Sequence, residues 1–126
     1  MQLTKNDPGD KFLISGYSDT GFRVAGKVQD GAVLVSSVYA EPAPIDVFEA
    51  IDDSAADTIA ALLGPLDVLL IGTGKSMKVL PSAVRAAFER CGVPVDVMDT
   101  GAAARTYNVL VMEDRRAACL LFPSGA

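Results

Sequence analysis

The residues of this chain best suited to chemistry lie on one predicted helix. The stretch 99–115 is mostly apolar and has the length of a helix, yet it carries Arg105 and Asn108. These residues are three positions apart, so a helix places them side by side on one face. Near a helix N-terminus the helix dipole favours an anion, so a guanidinium and an amide there could bind a carboxylate or a phosphate. The pattern predicts a small-anion site.

The same two side chains also have a structural interpretation, which we favour. A mostly buried helix must give every polar side chain a partner. Arg105 could pair with Asp99 or Asp96, and Asn108 could tie a neighbouring loop to the helix. Buried polar networks fix a fold more often than they bind a substrate. Asp99 or Thr100 is expected to cap this helix, because both side chains can accept from its free N–H groups.

A glycine turn, Gly72-Thr73-Gly74, directly follows the apolar run Leu69-Leu70-Ile71. At the carboxyl end of a parallel strand, the backbone N–H groups of such a turn can face a crevice and bind an anion. A plain tight turn is the alternative. The candidate ligand-binding residues are therefore Gly72, Thr73, Gly74, Thr100, Arg105 and Asn108.

The nucleotide-binding motifs that this turn resembles are incomplete. Gly74-Lys75-Ser76 ends as a P-loop does, but the first glycine of that motif is replaced by Leu69. The third glycine of a dinucleotide-binding fingerprint would be Met77. We therefore expect neither a nucleoside triphosphatase nor a dinucleotide-binding enzyme.

Composition removes most catalytic chemistry. Histidine is absent, which excludes the commonest general base and the commonest zinc ligand. Cys91 and Cys119 are far apart in apolar segments and are expected to be free buried thiols in a reducing compartment. We predict no catalytic residue, no cofactor and no metal. An enzyme that uses Tyr107, Lys75 or a carboxylate as its acid or base is the least favoured hypothesis.

Charge and hydropathy limit the partners. The net charge of −5 argues against nucleic acid and anionic lipid, which require clustered cations. The polar start of the chain is unlike a signal peptide, and no apolar run approaches the roughly 20 residues that span a membrane. The expectation is a cytoplasmic protein without direct membrane insertion. Its oligomeric state is not indicated.

The 126 residues fit a single domain, residues 1–126, of the α/β class. Residues 1–11 are expected to lie across the surface. The first forty residues predict an antiparallel meander, with a strand over 22–28, a hairpin turn at Asp30-Gly31 and a returning strand over 32–38. The prolines in 41–44 are expected to interrupt regular structure.

The second half alternates strands and helices, which predicts a parallel βαβαβ arrangement. Asp53 or Ser54 is expected to cap a helix over 55–63, which Gly64-Pro65 ends. The remaining predicted elements are strands at 68–71, 93–98 and 117–122 and helices at 82–91 and 100–113.

Several of these residues together resemble one known family. The segments Ile71–Gly74, Met98–Thr100 and Ala103–Leu110, with Glu113 and Arg115, resemble the Mth938-like domain family of unknown function, and Gly16-Tyr17 and 22–26 match its opening strands. The resemblance implies a single domain with a central mixed sheet, helices packed on it and an antiparallel β-hairpin layer. Members often carry cysteine where this chain has Ala104, so any thiol chemistry at that position is lost.

The resemblance implies no catalytic residue. One member of the family helps to assemble mitochondrial respiratory complex I, so the first functional hypothesis is a non-enzymatic factor that binds another protein, such as a subunit of a membrane complex. The second hypothesis is a domain that binds a small anion or metabolite at the six candidate residues above.

Overall fold

The computed structural model describes residues 11–125. The surface course expected for residues 1–11 therefore falls almost wholly outside the described residues. The strands are β1 (Ile14–Tyr17), β2 (Gly21–Val24), β3 (Lys27–Asp30), β4 (Val33–Ser36), β5 (Tyr39–Pro42), β6 (Val68–Gly72), β7 (Val95–Met98) and β8 (Ala117–Leu121), and the helices are α1 (Asp53–Leu63), α2 (Ser82–Arg90) and α3 (Thr100–Met112). A short 3-10 turn, Phe48–Ala50, precedes α1.

The strands form two sheets. The larger sheet has the order β5-β4-β8-β6-β7, and its members β6, β7 and β8 are parallel, with α2 and α3 as the crossovers. Strands β4 and β5 complete this sheet by antiparallel pairing. The smaller sheet is the antiparallel meander β1-β2-β3. The predicted mixed sheet with a parallel second half is confirmed.

Both faces of the larger sheet are covered, so its central strands are apolar without interruption. Successive side chains of a strand point to opposite faces. Leu69 and Ile71 belong to a core with residues of α1 and α2, whereas Leu70 belongs to a core with α3 and the smaller sheet. All five residues of β8 are buried. The smaller sheet and α3 therefore share one side of the molecule.

The first forty residues turn at a different place from the one predicted. The strand expected over 22–28 is broken at Ala25-Gly26, where φ is 52° and 79°, the left-handed pair that a two-residue hairpin requires. The Asp30-Gly31 pair instead links β3 of one sheet to β4 of the other. The prediction of a hairpin at that pair was wrong.

The predicted interruption at the prolines was also wrong in part. Glu41 and Pro42 end β5, which pairs with β4 through Pro42 and Val33. Strand β5 lies at the edge of its sheet, where a proline is tolerated because one side of the strand has no ladder to complete.

The helix ends follow their predicted chemistry closely. Asp99 caps α3, since its Oδ1 accepts a hydrogen bond of 2.9 Å from the N–H of Ala102. The cap of α1 is Asp52, one residue before the predicted position, and its Oδ1 accepts from the N–H of Ala55 at 2.8 Å. These caps fix where α3 begins and so place the candidate residues on it.

Candidate functional site

Gly72 lies at a close approach between β6, β8 and α3. A Cβ at this position would come within 2.8 Å of Cδ2 of Leu121 and 2.8 Å of Cα of Thr100. The second of these atoms is backbone and cannot move without shifting the helix. Glycine therefore lets the first turn of α3 approach the end of the sheet, and this packing accounts for the residue without a ligand.

Thr73, Gly74 and Thr100 form a buried hydrogen-bond network with their neighbours. Oγ1 of Thr100 donates to the carbonyl of Phe122 at 2.6 Å and accepts from the N–H of Gly74 at 2.8 Å. The N–H of Thr100 donates to the carbonyl of Gly74, and the N–H of Thr73 donates to the carbonyl of Met98. The N–H groups predicted to face an anion are thus already bound within the protein.

The hydroxyl of Thr73 orders the loop that follows. It donates to the carbonyl of Ser76 at 2.7 Å and accepts from the N–H of Lys78 at 3.0 Å. Thr73 is completely buried, so this local pair of bonds satisfies a hydroxyl that would otherwise be costly to bury. The loop after β6 is therefore anchored at its base.

Arg105 lies on the exposed side of α3, and not in a buried environment as the apolar sequence of the helix suggested. Its Nη1 donates to the hydroxyl of Tyr17 at 3.2 Å. The expected pairing with Asp99 or Asp96 is not formed, since within residues 11–125 the guanidinium contacts no carboxylate. Gly101, one helical turn earlier, leaves the space that Tyr17 occupies.

Asn108 completes the backbone bonding of β1. Its Oδ1 accepts from the N–H of Ile14 at 2.8 Å, and its Nδ2 donates to the carbonyl of Ile14 at 2.8 Å. A side-chain amide carries a donor and an acceptor, as a peptide group does, so Asn108 substitutes for a neighbouring strand. Asn108 does tie another segment to the helix, but that segment is the edge strand β1 and not the loop that was predicted.

Further contacts made by Tyr107 and Lys11 continue the interface between α3 and the segment 11–17. The hydroxyl of Tyr107 donates to the carbonyl of Phe12 at 2.6 Å. Nζ of Lys11 donates to the carbonyl of Val111 at 3.0 Å and pairs with Asp114. The segment 11–17 therefore runs antiparallel to α3 and is held by side chains from successive turns. Arg105, Tyr107 and Asn108 all form hydrogen bonds across this interface.

The six candidate residues therefore fall into two groups. Gly72, Thr73, Gly74 and Thr100 meet at the end of β6, while Arg105 and Asn108 contact β1. The polar groups of Asn108 and of the Gly72–Gly74 turn form hydrogen bonds within the protein. Arg105 is the candidate residue with an exposed charge. Ligand binding at these residues stays a prediction.

A surface that the sequence interpretation missed lies on the loop after β6. Met77 and Val79 are 60% and 81% exposed. Val79 belongs to the lining of a depression of about 300 Å³, together with Phe48, Glu49, Ile51, Lys78, Leu80 and Pro81. Nζ of Lys78 forms an ion pair of 3.1 Å with Glu49 at its margin and lies over the Phe48 ring. The apolar residues between Gly74 and Pro81, without a helix or strand pattern, were the available indication.

Burial perturbs two ionisable groups beneath α3. Desolvation raises the pKa of the Tyr107 hydroxyl above its usual value, with a smaller contribution from Cys119. Complete burial raises the pKa of the Cys119 thiol well above its usual value. Cys91, the other free cysteine, donates to Oδ1 of Asp57 at 3.2 Å. The hydrogen bond to Asp57 raises the pKa of the Cys91 thiol above its usual value. Both thiols are therefore held in the protonated form, which is the unreactive one.

Among residues 11–125, no helix combines the length and the apolar character needed to cross a membrane.

Sequence comparison relates the chain to proteins from bacteria and animals. The family model described as "Protein of unknown function (DUF498/DUF598)" matches residues 14–122. An uncharacterised protein of Rhodobacter capsulatus is 39% identical over 110 residues, which cover 87% of this chain and 83% of that protein. The Drosophila melanogaster protein named NADH dehydrogenase [ubiquinone] 1 alpha subcomplex assembly factor 3 is 28% identical over 95% of this chain. The match spans 62% of that factor's length.

Solved structures share the fold. A crystal structure of a Bordetella parapertussis protein has a TM-score of 0.80 and 32% identity, covering 90% of this chain and 96% of that one. A solution structure from Bordetella pertussis, described as a Mth938-like domain, has a TM-score of 0.79 and 28% identity, covering 99% and 94%. The fold predicted from the resemblance is confirmed.

Proposed function

This chain belongs to the protein family of unknown function DUF498/DUF598, and on that premise we propose that it is a non-enzymatic, protein-binding factor in the assembly of a membrane-bound respiratory complex. The observation that carries the proposal is the alignment of 95% of the chain with a protein named as an assembly factor of NADH dehydrogenase. The role of that relative concerns a protein longer than this chain, so it is the shared domain that we assign to partner binding.

The surface after β6 has the properties of a partner contact. Exposed apolar side chains grouped beside a depression mark interaction sites more often than isolated ones do. Met77 and Val79 project from a loop whose base is fixed by Thr73 and whose end, Leu80, is buried. Lys75, two residues before Met77, is also exposed. We assign this surface to a protein partner that inserts an apolar side chain and presents a carboxylate to Lys75.

Gene deletion and complementation test the proposal. Deleting the gene in its own host should lower the amount of assembled respiratory complex, measured by native gel electrophoresis and by NADH oxidation in membranes. The wild-type gene should restore the complex, and Val79→Asp should not, because a charge in the apolar contact must be desolvated. Val38→Asp is the matched control, since Val38 is 75% exposed in the turn between β4 and β5.

These experiments test the assembly role and the contact surface after β6 separately. Normal amounts of every respiratory complex after deletion would contradict the assembly role. Full restoration by Val79→Asp would leave the role standing and reject the surface after β6 as the contact.

The small-anion alternative rests on one favourable observation, the exposed guanidinium of Arg105 without a carboxylate partner in the described part of the chain. Its test is the thermal midpoint with and without inorganic phosphate. A phosphate-dependent rise that Arg105→Ala abolishes, with the fold retained, would support an anion site. No rise with phosphate, carboxylates or nucleotides would reject it.

A further inference from the structure

The outer face of α3 carries a row of exposed apolar and charged side chains. Val109 and Met112 are 54% and 65% exposed, and Arg105 and Glu113 are exposed beside them. At 100° per residue these side chains fall on one side of the helix, with the half-buried Ala102 and Thr106. The opposite side, with Ala103, Tyr107 and Val111, is buried in the core. The outer face is thus a continuous stripe about three turns long.

The two charges of this stripe lack ionic partners within residues 11–125. The ion pairs there join other residues, namely Lys11 with Asp114, Lys78 with Glu49, Arg90 with Asp53 and Arg116 with Asp67. Glu113 forms no side-chain hydrogen bond there, and the guanidinium of Arg105 bonds only the neutral hydroxyl of Tyr17. A positive and a negative group therefore stand unpaired at the two ends of an apolar centre.

The spacing of these groups is self-complementary. Arg105 lies four residues before Val109 and Glu113 lies four residues after it, so each charge is about 6 Å from Val109 along the helix axis. A two-fold axis through Val109, perpendicular to the helix, places a second α3 antiparallel to the first. Each Arg105 then comes within reach of Glu113 of the other copy, and the two Val109 side chains meet. A two-fold interface requires this kind of match between a patch and itself.

We propose that two copies of this chain associate through the outer faces of their α3 helices, with Val109 at the two-fold axis and two Arg105–Glu113 pairs across it. We assign the partner as a second copy of this chain because two identical stripes, placed antiparallel, bring opposite charges together at both ends. The apolar centre supplies the association, and the charge pairs set its direction and register.

Charge reversal with purified full-length protein tests the proposal. Sedimentation equilibrium of the wild type should show a monomer–dimer equilibrium. Arg105→Glu and Glu113→Arg should each weaken self-association at least about tenfold, because each places two like-charged pairs across the interface. An equimolar mixture of the two variants should restore association, since one chain then carries two acidic groups and the other two basic groups. Far-ultraviolet circular dichroism should show that both variants are folded.

A variant of the apolar centre supplies a second measurement. Val109→Asp should abolish dimerisation, whereas Val38→Asp, at a still more exposed valine on the β4–β5 turn, should leave it unchanged. A wild type that stays monomeric at the highest soluble concentration would overturn the proposal. So would a dimer insensitive to Arg105→Glu, or a mixture of the two charge variants that fails to associate.

Discussion

Asn108 on α3 and Ile14 on β1 exchange two hydrogen bonds of 2.8 Å across 94 positions of sequence. The side-chain amide acts as the missing strand beside β1, because it donates to the Ile14 carbonyl and accepts from the Ile14 N–H. With Tyr107 and Arg105 it fastens the smaller sheet to the helix. The most distinctive sequence of the chain thus has a structural function that requires no ligand.

The first prediction concerns this amide. Asn108→Ala should lower the free energy of unfolding by about 2 kcal/mol, because two hydrogen bonds are lost and the Ile14 backbone is left half-buried and unpaired. Urea denaturation measures the change, and amide hydrogen exchange should show faster exchange at Ile14. Thr106→Ala is the matched control, since the Thr106 side chain makes no hydrogen bond within the described residues. Equal stability of the two variants would contradict the prediction.

The second prediction concerns the buried hydroxyl of Thr100. Thr100→Val keeps the shape of the side chain but leaves the N–H of Gly74 and the carbonyl of Phe122 without their partner. The expected loss is about 3 kcal/mol in the free energy of unfolding. Thr100→Ser retains the hydroxyl and removes only a methyl group, so it should cost about 1 kcal/mol. Urea denaturation of both variants checks the order, and a Val variant as stable as the Ser variant would refute it.

The third prediction concerns the close approach at Gly72. Gly72→Ala should destabilise the fold by about 1–3 kcal/mol, because the new Cβ would meet Cα of Thr100 and Cδ2 of Leu121, each at 2.8 Å. Gly16→Ala is the control, since its Cβ would lie 3.8 Å from Cβ of Arg23, an ordinary contact. Thermal unfolding compares the two. A neutral effect at Gly72 would show that α3 shifts at little cost.

The parallel half of the fold follows from local patterns, and the first half does not. Leu69, Leu70 and Ile71 form an uninterrupted apolar run, and Asp99 marks the start of α3, so sequence alone locates these elements. The hairpin at Ala25-Gly26 has no comparable mark, because alanine rarely adopts the left-handed conformation found there. The Asp30-Gly31 pair has the stronger hairpin composition but serves a link between sheets.

The candidate site shows a similar division. Helical periodicity separates Arg105 and Asn108 from the face of Tyr107 and predicts that they share the other side of α3. Whether that side of α3 is buried depends on which elements pack against it. Because Val109 and Met112 are apolar, the sequence suggested that this side also belongs to the hydrophobic core. In the structure β1 covers the half with Asn108 and leaves Arg105, Val109 and Met112 exposed. This division is a tertiary contact that no local pattern contains.

The fourth prediction is a loss of stability in alkali that involves Tyr107. Burial raises the pKa of its hydroxyl above the value of 10.0 expected for an unperturbed tyrosine. Below about pH 10 the hydroxyl is protonated in both the folded and the unfolded chain, so it adds no pH dependence. Above that pH the unfolded chain releases the proton and the folded chain retains it. The free energy of unfolding should therefore fall by about 1.4 kcal/mol per pH unit for this group.

Two substitutions separate Tyr107 from the other buried acid. Cys119 behaves in the same direction, with the fall beginning near its unperturbed pKa of 9.0. Tyr107→Phe should lower stability at neutral pH by about 1 kcal/mol through loss of the bond to Phe12, and should reduce the slope above about pH 10. Cys119→Ala should instead remove the part of the fall that begins near pH 9.0. Urea denaturation from about pH 8 to about pH 11 measures both curves. If the curve of Tyr107→Phe runs parallel to that of the wild type above about pH 10, the hydroxyl is not the group responsible, and its burial does not control the alkaline limit of the fold.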